Sequence, residues 1–143
     1  EQACFTNNAL TVGGKSSLPL VWVIAEKEGA DMVIEILFNE VCNNNGDGQN
    51  VTYLQATLPE AEFIFTSLLD EPYFVRNQPD MIYIGSMSES VQRKVIDKLT
   101  PYKARIKELI NADIPILATG NAGEIFCKYV NYVTIDKNLD INI

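Results

Sequence analysis

Between residues 80 and 119 the spacing of apolar residues changes twice, and this change limits the fold more than any other feature of the chain. DMIYIG (80–85) is a continuous apolar run closed by glycine, as in a strand buried on both faces. Ser88 is placed to cap a helix, after which Val91, Val95, Ile96 and Leu99 recur at three- and four-residue spacing, with Glu89, Gln92, Arg93 and Asp97 opposite. Pro101 interrupts this stripe and Ile106, Leu109 and Ile110 resume it, which reads as two consecutive helices or one kinked helix. Residues 114–119 (IPILAT) return to an apolar strand. Two such strands joined by a helical crossover form a parallel pair covered by helices.

The rest of the chain extends the same alternation. Residues 1–17 show no periodicity and read as an irregular lead-in, while LPLVWVIA (18–25) and MVIEILF (32–38) read as two strands of a hairpin turned at EKEGAD. NEVCNNNGDGQN (39–50) is a loop of residues that tolerate positive φ, and VTYLQATL (51–58) reads as a helix stopped by Pro59. FIFTSL (63–68) is strand-like, 122–130 reads as a helix after the last parallel strand, and 132–135 as a final strand. The expected fold is a three-layer α/β sandwich with a mostly parallel sheet, flavodoxin-like in plan, with an extra hairpin strand from the N-terminal segment. Ligands of such sheets bind beyond the carboxyl ends of the strands, which here are the loops 39–50, 85–89 and 119–123.

Charge and residue types exclude several functions. Among 143 residues, 11 basic against 19 acidic groups leave a net charge of −8, opposite in sign to what a nucleic acid or an anionic membrane attracts. The apolar runs are far shorter than the roughly 20 residues of a membrane span, and EQACFTNNAL lacks the basic start and apolar core of a secretory signal, which points to the cytoplasm. The start at Glu1 without methionine reads as a processed product or a fragment. Three widely spaced cysteines, Cys4, Cys42 and Cys127, do not make a disulfide framework. No histidine is present, which removes Ser-His-Asp and Cys-His chemistry within the chain and the commonest zinc ligand. NNNGDGQN carries one carboxylate, Asp47, and lacks the alternating acidic ligands of a calcium loop. PYKARIKEL, with Lys103, Arg105 and Lys107, reads as a solvated helix face.

PILATGNAGEIFCKYV (115–130) runs from a strand through Gly120, Asn121, Ala122 and Gly123 into the next segment, a strand-to-helix elbow of the kind that presents a nucleophile over an oxyanion hole. Three ordered blocks, this elbow, DMIYIGSMSE and CNNNGDGQNVTYL, resemble the class I glutamine amidotransferase-like domains of the cobyric acid synthase and lipid II isoglutaminyl synthase type. Asn43, Gly46, Asp47 and Asn50 match the family's loop Leu-Asn-Leu-Tyr-Gly-Asp-Arg-Gly-Asn, and Gly85 matches the glycine loop that supplies an oxyanion N–H, with Ser86 and Met87 replacing glycines. The elbow, usually Leu-Ala-(Ile/Val)-Cys-Gly-Gly-Tyr-Gln, departs from the pattern where it matters most. Gly120 stands at the catalytic cysteine, Asn121 and Ala122 stand at the glycines, and Glu124 at the glutamine.

The resemblance covers about residues 33–135, leaving 1–32 as a lead-in and extra strand of unassigned origin before an amidotransferase-like domain over 33–143. It implies an ancestral hydrolysis of glutamine with ammonia passed to a synthase, and no cofactor or metal. With nucleophile and base both missing, the expected function is a degenerate domain that binds a small amide or carboxylate through Gly85, Ser86, Gly120, Asn121 and Ala122, with Asn43, Asp47 and Asn50 beside them, or that serves as partner subunit of a synthase or ligase or as a homo-oligomer. One alternative is an active glutaminase subunit with Cys42 or Cys127 as displaced nucleophile and a base from a partner or another segment. Of the two thiols, Cys42 is the better placed for exposure, whereas Cys127, among Ile125, Phe126 and Tyr129, reads as a small buried hydrophobe. The other alternative is a structural interaction module in which the elbow is only a turn.

Overall fold

The computed structural model describes residues 3–6, 9–12 and 31–127. Six strands form one sheet: β1 (Ala3–Thr6), β2 (Ala9–Val12), β3 (Val33–Leu37), β4 (Glu62–Thr66), β5 (Met81–Ile84) and β6 (Ile116–Thr119), in the order β1-β2-β6-β5-β3-β4. β4, β3, β5 and β6 are parallel, and the β1–β2 hairpin joins antiparallel at β6. The parallel part is therefore an α/β sheet compatible with a flavodoxin-like plan. The chain passes from β3 out to β4 and returns on the other side of β3 to β5, so the connections diverge between β3 and β5, whose carboxyl ends are where sheets of this plan take ligands.

Alternation along each strand divides the core in two. Ile34 and Ile36 of β3 and Met81 and Tyr83 of β5 face Val51, Leu54 and Leu58, the inward side of α1 (Asp47–Thr57) and its end. Leu37, Ile82, Ile84, Ile116 and Ala118 face Val95, Leu99 and Leu109 of α2 (Glu89–Leu99) and α3 (Lys103–Asn111). The sheet is thus the middle of three layers. Burying each of these large aliphatic side chains contributes about 1.5–3 kcal/mol against the cost of ordering the chain. Among the described residues no helix is long and apolar enough to cross a membrane.

The two-helix segment forms as its spacing predicts. Ser88 Oγ accepts from the Val91 N–H at the start of α2, Glu89 and Lys98 complement the dipole at either end, and Pro101 sits in a 3-10 turn, Thr100–Tyr102, that leads into α3. Other expectations are corrected. Residues 1–17 are not wholly irregular, because they contain β1 and β2, a hairpin whose second strand pairs with β6 and so joins the same sheet as the rest. The extra hairpin therefore comes from 3–12. Residues 32–38 cannot take a hairpin partner from 18–25 in this sheet, since β3 is paired on one edge with β4 and on the other with β5; residues 18–25 themselves, like the strand expected at 132–135, lie outside the described residues. Of the helix expected over 122–130, the described part is a 3-10 segment, Gly120–Phe126, followed by an extended Cys127, and 128–130 lie outside the described residues. Arg105 is not a solvated cation: its guanidinium donates to the Phe74 and Asn77 carbonyls at 2.9 and 3.1 Å and pairs with Glu108, clipping the 3-10 turn Tyr73–Val75 to α3.

Candidate functional site

The three loops beyond the strands' carboxyl ends meet, and tight backbone makes the meeting possible. β3 is followed by Phe38, a buried residue at φ 55°, and the chain turns back through Asn45 at φ 56° and Gly46 at φ 85° before α1 begins. A bulky side chain in the left-handed region is strained and persists only where its surroundings fix it. Here the Phe38 N–H donates to the Thr66 carbonyl, and the Phe38 carbonyl accepts from Val41 and Cys42. The next loop lies directly on this turn. A Cβ on Gly85 would stand 2.2 Å from the Cys42 carbonyl oxygen. Because the obstacle is backbone, Gly85→Ala is expected to cost about 2–3 kcal/mol in urea unfolding; a loss under about 0.5 kcal/mol, the level of an ordinary surface substitution, would contradict this close approach.

Asp47, in the first turn of α1, ties the loops together. Its Oδ2 accepts from the Ser86 N–H and, at 2.9 Å, from Thr119 Oγ1, while Oδ1 accepts from Asn50 Nδ2 at 3.0 Å. One carboxylate thereby joins the ends of β3, β5 and β6. Beneath it the Tyr83 hydroxyl donates to the Asp47 carbonyl at 3.3 Å, accepts from Asn50 and lies 3.5 Å from Thr119 Oγ1. Burial raises the Tyr83 phenol above its ordinary pKa, so it remains a neutral hydrogen-bonding group. Ser86 pairs with Asn44 through its carbonyl and its hydroxyl, at 3.1 and 3.0 Å.

The elbow adds the third side. Gly120 takes φ 55° directly after β6, and a Cβ there would stand 2.9 Å from Ser86 Cβ. Asn121 bonds to Met87 in both directions, Oδ1 accepting from Met87 N–H at 3.0 Å and Nδ2 donating to the Met87 carbonyl at 2.8 Å. Buried Gln92 of α2 holds this segment from below, its Nε2 donating to the Asn121 carbonyl at 2.8 Å and to Glu124 at 2.9 Å. The two N–H groups that follow Gly85, at Ser86 and Met87, are therefore both engaged by side chains of the protein.

Of the residues singled out in the sequence, Asp47, Asn50, Gly85, Ser86, Gly120 and Asn121 come together. Asn43 is exposed and its side chain does not cap the turn that follows. Ala122 is fully buried in the core and does not face the meeting of the three loops. The two thiols exchange the environments expected of them. Cys42 is buried, its Sγ 3.8 Å from Met87 Sδ, and burial together with the nearby Glu40 charge pushes its pKa up to about 12. Its place is set by the turn after β3, which points the side chain into the core. Cys127, just after the 3-10 segment, is exposed.

Tyr83, Thr119 and Asn44, which lie inside the three blocks but are not among the residues singled out there, and Gln92, which lies outside them, belong to the site. The available signal was position: Tyr83 and Thr119 stand at strand ends, and Gln92 one turn into a helix after a glycine loop. Among the described residues no three His, Cys, Asp or Glu side chains are grouped to hold a metal ion. A separate open depression of about 320 Å³, lined in part by Phe65, Tyr73, Arg76 and Asn77, lies by the end strand β4 and shares no residue with the three loops. No family model, curated protein or solved structure matches this chain.

Proposed function

We propose that the chain is a catalytically degenerate class I glutamine amidotransferase-like domain that binds a small amide or carboxylate compound or acts as the partner subunit of a synthase or ligase. The observation that carries this reading is Gly120. It holds a left-handed tip between strand and turn, where the resembling enzymes place a nucleophile, and it has no side chain. The groups around it support the same conclusion. The Ser86 and Met87 N–H groups, which an oxyanion would need, are committed to Asp47 and Asn121. Neither fallback cysteine reaches the tip: Cys42 is a buried, protonated thiol, and Cys127 lies seven residues beyond Gly120 after a 3-10 segment.

The purified chain and its Cys42→Ala and Cys127→Ala variants are expected to release no ammonia from glutamine, alone or with a candidate synthase. Release that one cysteine variant abolishes would overturn the proposal in favour of an active glutaminase subunit.

Thiol mapping supplies an independent check. With its pKa near 12, Cys42 should be alkylated by iodoacetamide at pH 7.5 about a hundredfold or more slower in the native chain than after denaturation. Mass spectrometry of the Cys42 peptide reads the rate, and equal labelling in both states would show a reachable, ionisable thiol.

A further inference from the structure

β4 is the end of the sheet, and among the described residues its outer edge is open. The N–H and C=O of one strand residue point to the same side, and those of the next residue to the other. The Glu62 N–H donates to the Met32 carbonyl and the Thr66 carbonyl accepts from the Phe38 N–H, so Glu62, Ile64 and Thr66 turn toward β3 while Phe63 and Phe65 turn away. Natural edge strands are commonly blunted by lysine, proline or a bulge. EFIFT has neither lysine nor proline, and its register with β3 is unbroken.

The cover beside this edge is thin. Where a parallel crossover usually carries a helix, the segment from β4 to β5 holds only the 3-10 turn Tyr73–Val75. The depression of about 320 Å³ lies there, at the lower end of the size that holds a small ligand. Ile64, Phe65 and Thr66 all line it although consecutive side chains alternate between faces, which puts the hollow at the strand's edge. Phe65 is 50% exposed and Leu69, just beyond the strand, 92%. The depression is also lined by Asp70, Glu71 and Arg76. Arg76 pairs with Glu71, which leaves the Asp70 carboxylate without a side-chain partner among the described residues.

We propose that the outer edge of β4 docks an extended, basic segment of a partner protein, which adds to the sheet as one further strand and sets a lysine or arginine side chain in the depression against Asp70. In strand addition the main chain supplies affinity and alternate side chains supply selectivity. Phe65 stands opposite Ile36, on the α1 face of the sheet, so side chains of the added strand on that face meet an exposed ring and are apolar. Those on the other face meet the hollow and its uncompensated acid, which selects a cation. A second copy of this chain fits less well, because antiparallel pairing about Ile64 brings together two edges that each carry Glu62 and Asp70, on chains of net charge −8. The proposal goes beyond the function inferred for the Gly120 tip and does not rest on it.

The test uses the full chain, labelled with ¹⁵N, and a short peptide of alternating valine and lysine as probe. One control peptide carries glutamate in place of lysine, and another carries methyl groups on its backbone nitrogens. The probe is expected to slow hydrogen exchange at the Phe63 and Phe65 amides about tenfold or more and to leave Ile64, already bonded to β3, unchanged. Neither control is expected to protect them. Asp70→Lys should weaken binding of the probe about threefold or more beyond the effect of Asp97→Lys, an equal change of charge at an exposed position of α2. Absence of protection at Phe63 and Phe65, a methylated peptide that binds as tightly as the probe, or equal effects of the two charge reversals overturns the proposal. So does protection of both amides in the chain alone, which, if it rises with concentration, assigns the edge to a second copy.

Discussion

Replacing Asp47 with alanine is expected to destabilise the chain by about 3–5 kcal/mol, because hydrogen bonds to a buried carboxylate each contribute roughly 1.5–3 kcal/mol and their loss here strands a buried N–H. Three donors lose their acceptor at once: the Ser86 N–H, the Thr119 hydroxyl and the Asn50 amide. Ser86 is the costly one, since it is buried and its N–H is left without the acceptor it has in Asp47. Asp47→Asn separates the hydrogen bonds from the charge. Its amide oxygen can take the position of Oδ2 and keep Ser86 and Thr119, while Asn50, which is exposed, can rotate to present its oxygen to the new amide. A loss of only about 1 kcal/mol is expected for this variant, the net worth of one ordinary hydrogen bond. Urea unfolding of both variants provides the measurement. An alanine variant within about 1 kcal/mol of wild type, the average cost of an arbitrary substitution, would mean that the three loops do not depend on this carboxylate.

The second large effect is expected at Glu35, in the middle of β3 and wholly buried. Its Oε1 accepts from Thr66 Oγ1 and the Tyr73 N–H, both at 2.7 Å, and its Oε2 accepts from the Phe74 N–H at 2.9 Å. The carboxylate fastens the turn at 73–75 to the sheet. Glu35→Ala removes all three acceptors and leaves a cavity, for an expected loss of about 3–4 kcal/mol. Burial raises the Glu35 pKa above 4.5, and the three hydrogen bonds only partly offset it. The folded chain therefore holds this proton at pH values where the unfolded chain has released it. The contribution is fully present below about pH 4.5 and is lost as pH rises through the folded-state value. Glu35→Gln abolishes the titration, so the stability difference between wild type and this variant should shrink as pH rises from 4.5. Urea titrations at several pH values test it. A difference that does not change with pH would show that Glu35 ionises as readily in the folded chain as in the unfolded one, and a difference that grows would show that it ionises more readily there.

Much of this architecture is legible in the sequence because the parallel strands are dominated by apolar runs, β3 being broken only by Glu35, and the crossovers change period. Leu37, Ile82 and Ala118 identify their strands with no tertiary information. β1 and β2 escape because ACFT and ALTV are not set in a longer apolar run, and pairing of β1 with β2 and of β2 with β6 rather than local pattern defines them. α1 begins four residues earlier than its apolar content suggests, since Asp47 and Asn50, poor helix formers by propensity, are held by contacts with β5 and β6. The same competition undoes the helix expected after β6. Gly120 and Gly123 favour tight turns, and Asn121 gains two bonds to Met87 by leaving helical geometry. Within the site, motif residues locate the loops, but Gln92 and Thr119 become visible only once the sheet places them against Asn121 and Asp47.

The contact between Gly120 and Ser86 also bears on how such a chain can change over generations. Any residue larger than glycine at 120 would place its Cβ 2.9 Å from Ser86 Cβ, on a backbone already at positive φ. A single substitution that introduced a thiol or hydroxyl at the tip would therefore meet a neighbour that has filled the space it needs. Gaining a reactive group there takes two steps, with position 86 trimmed first, and the first step removes the Ser86 hydroxyl bond to Asn44 and brings no activity of its own. The loop after β5 thus acts as a ratchet, making a reactive tip at 120 harder to gain than to lose.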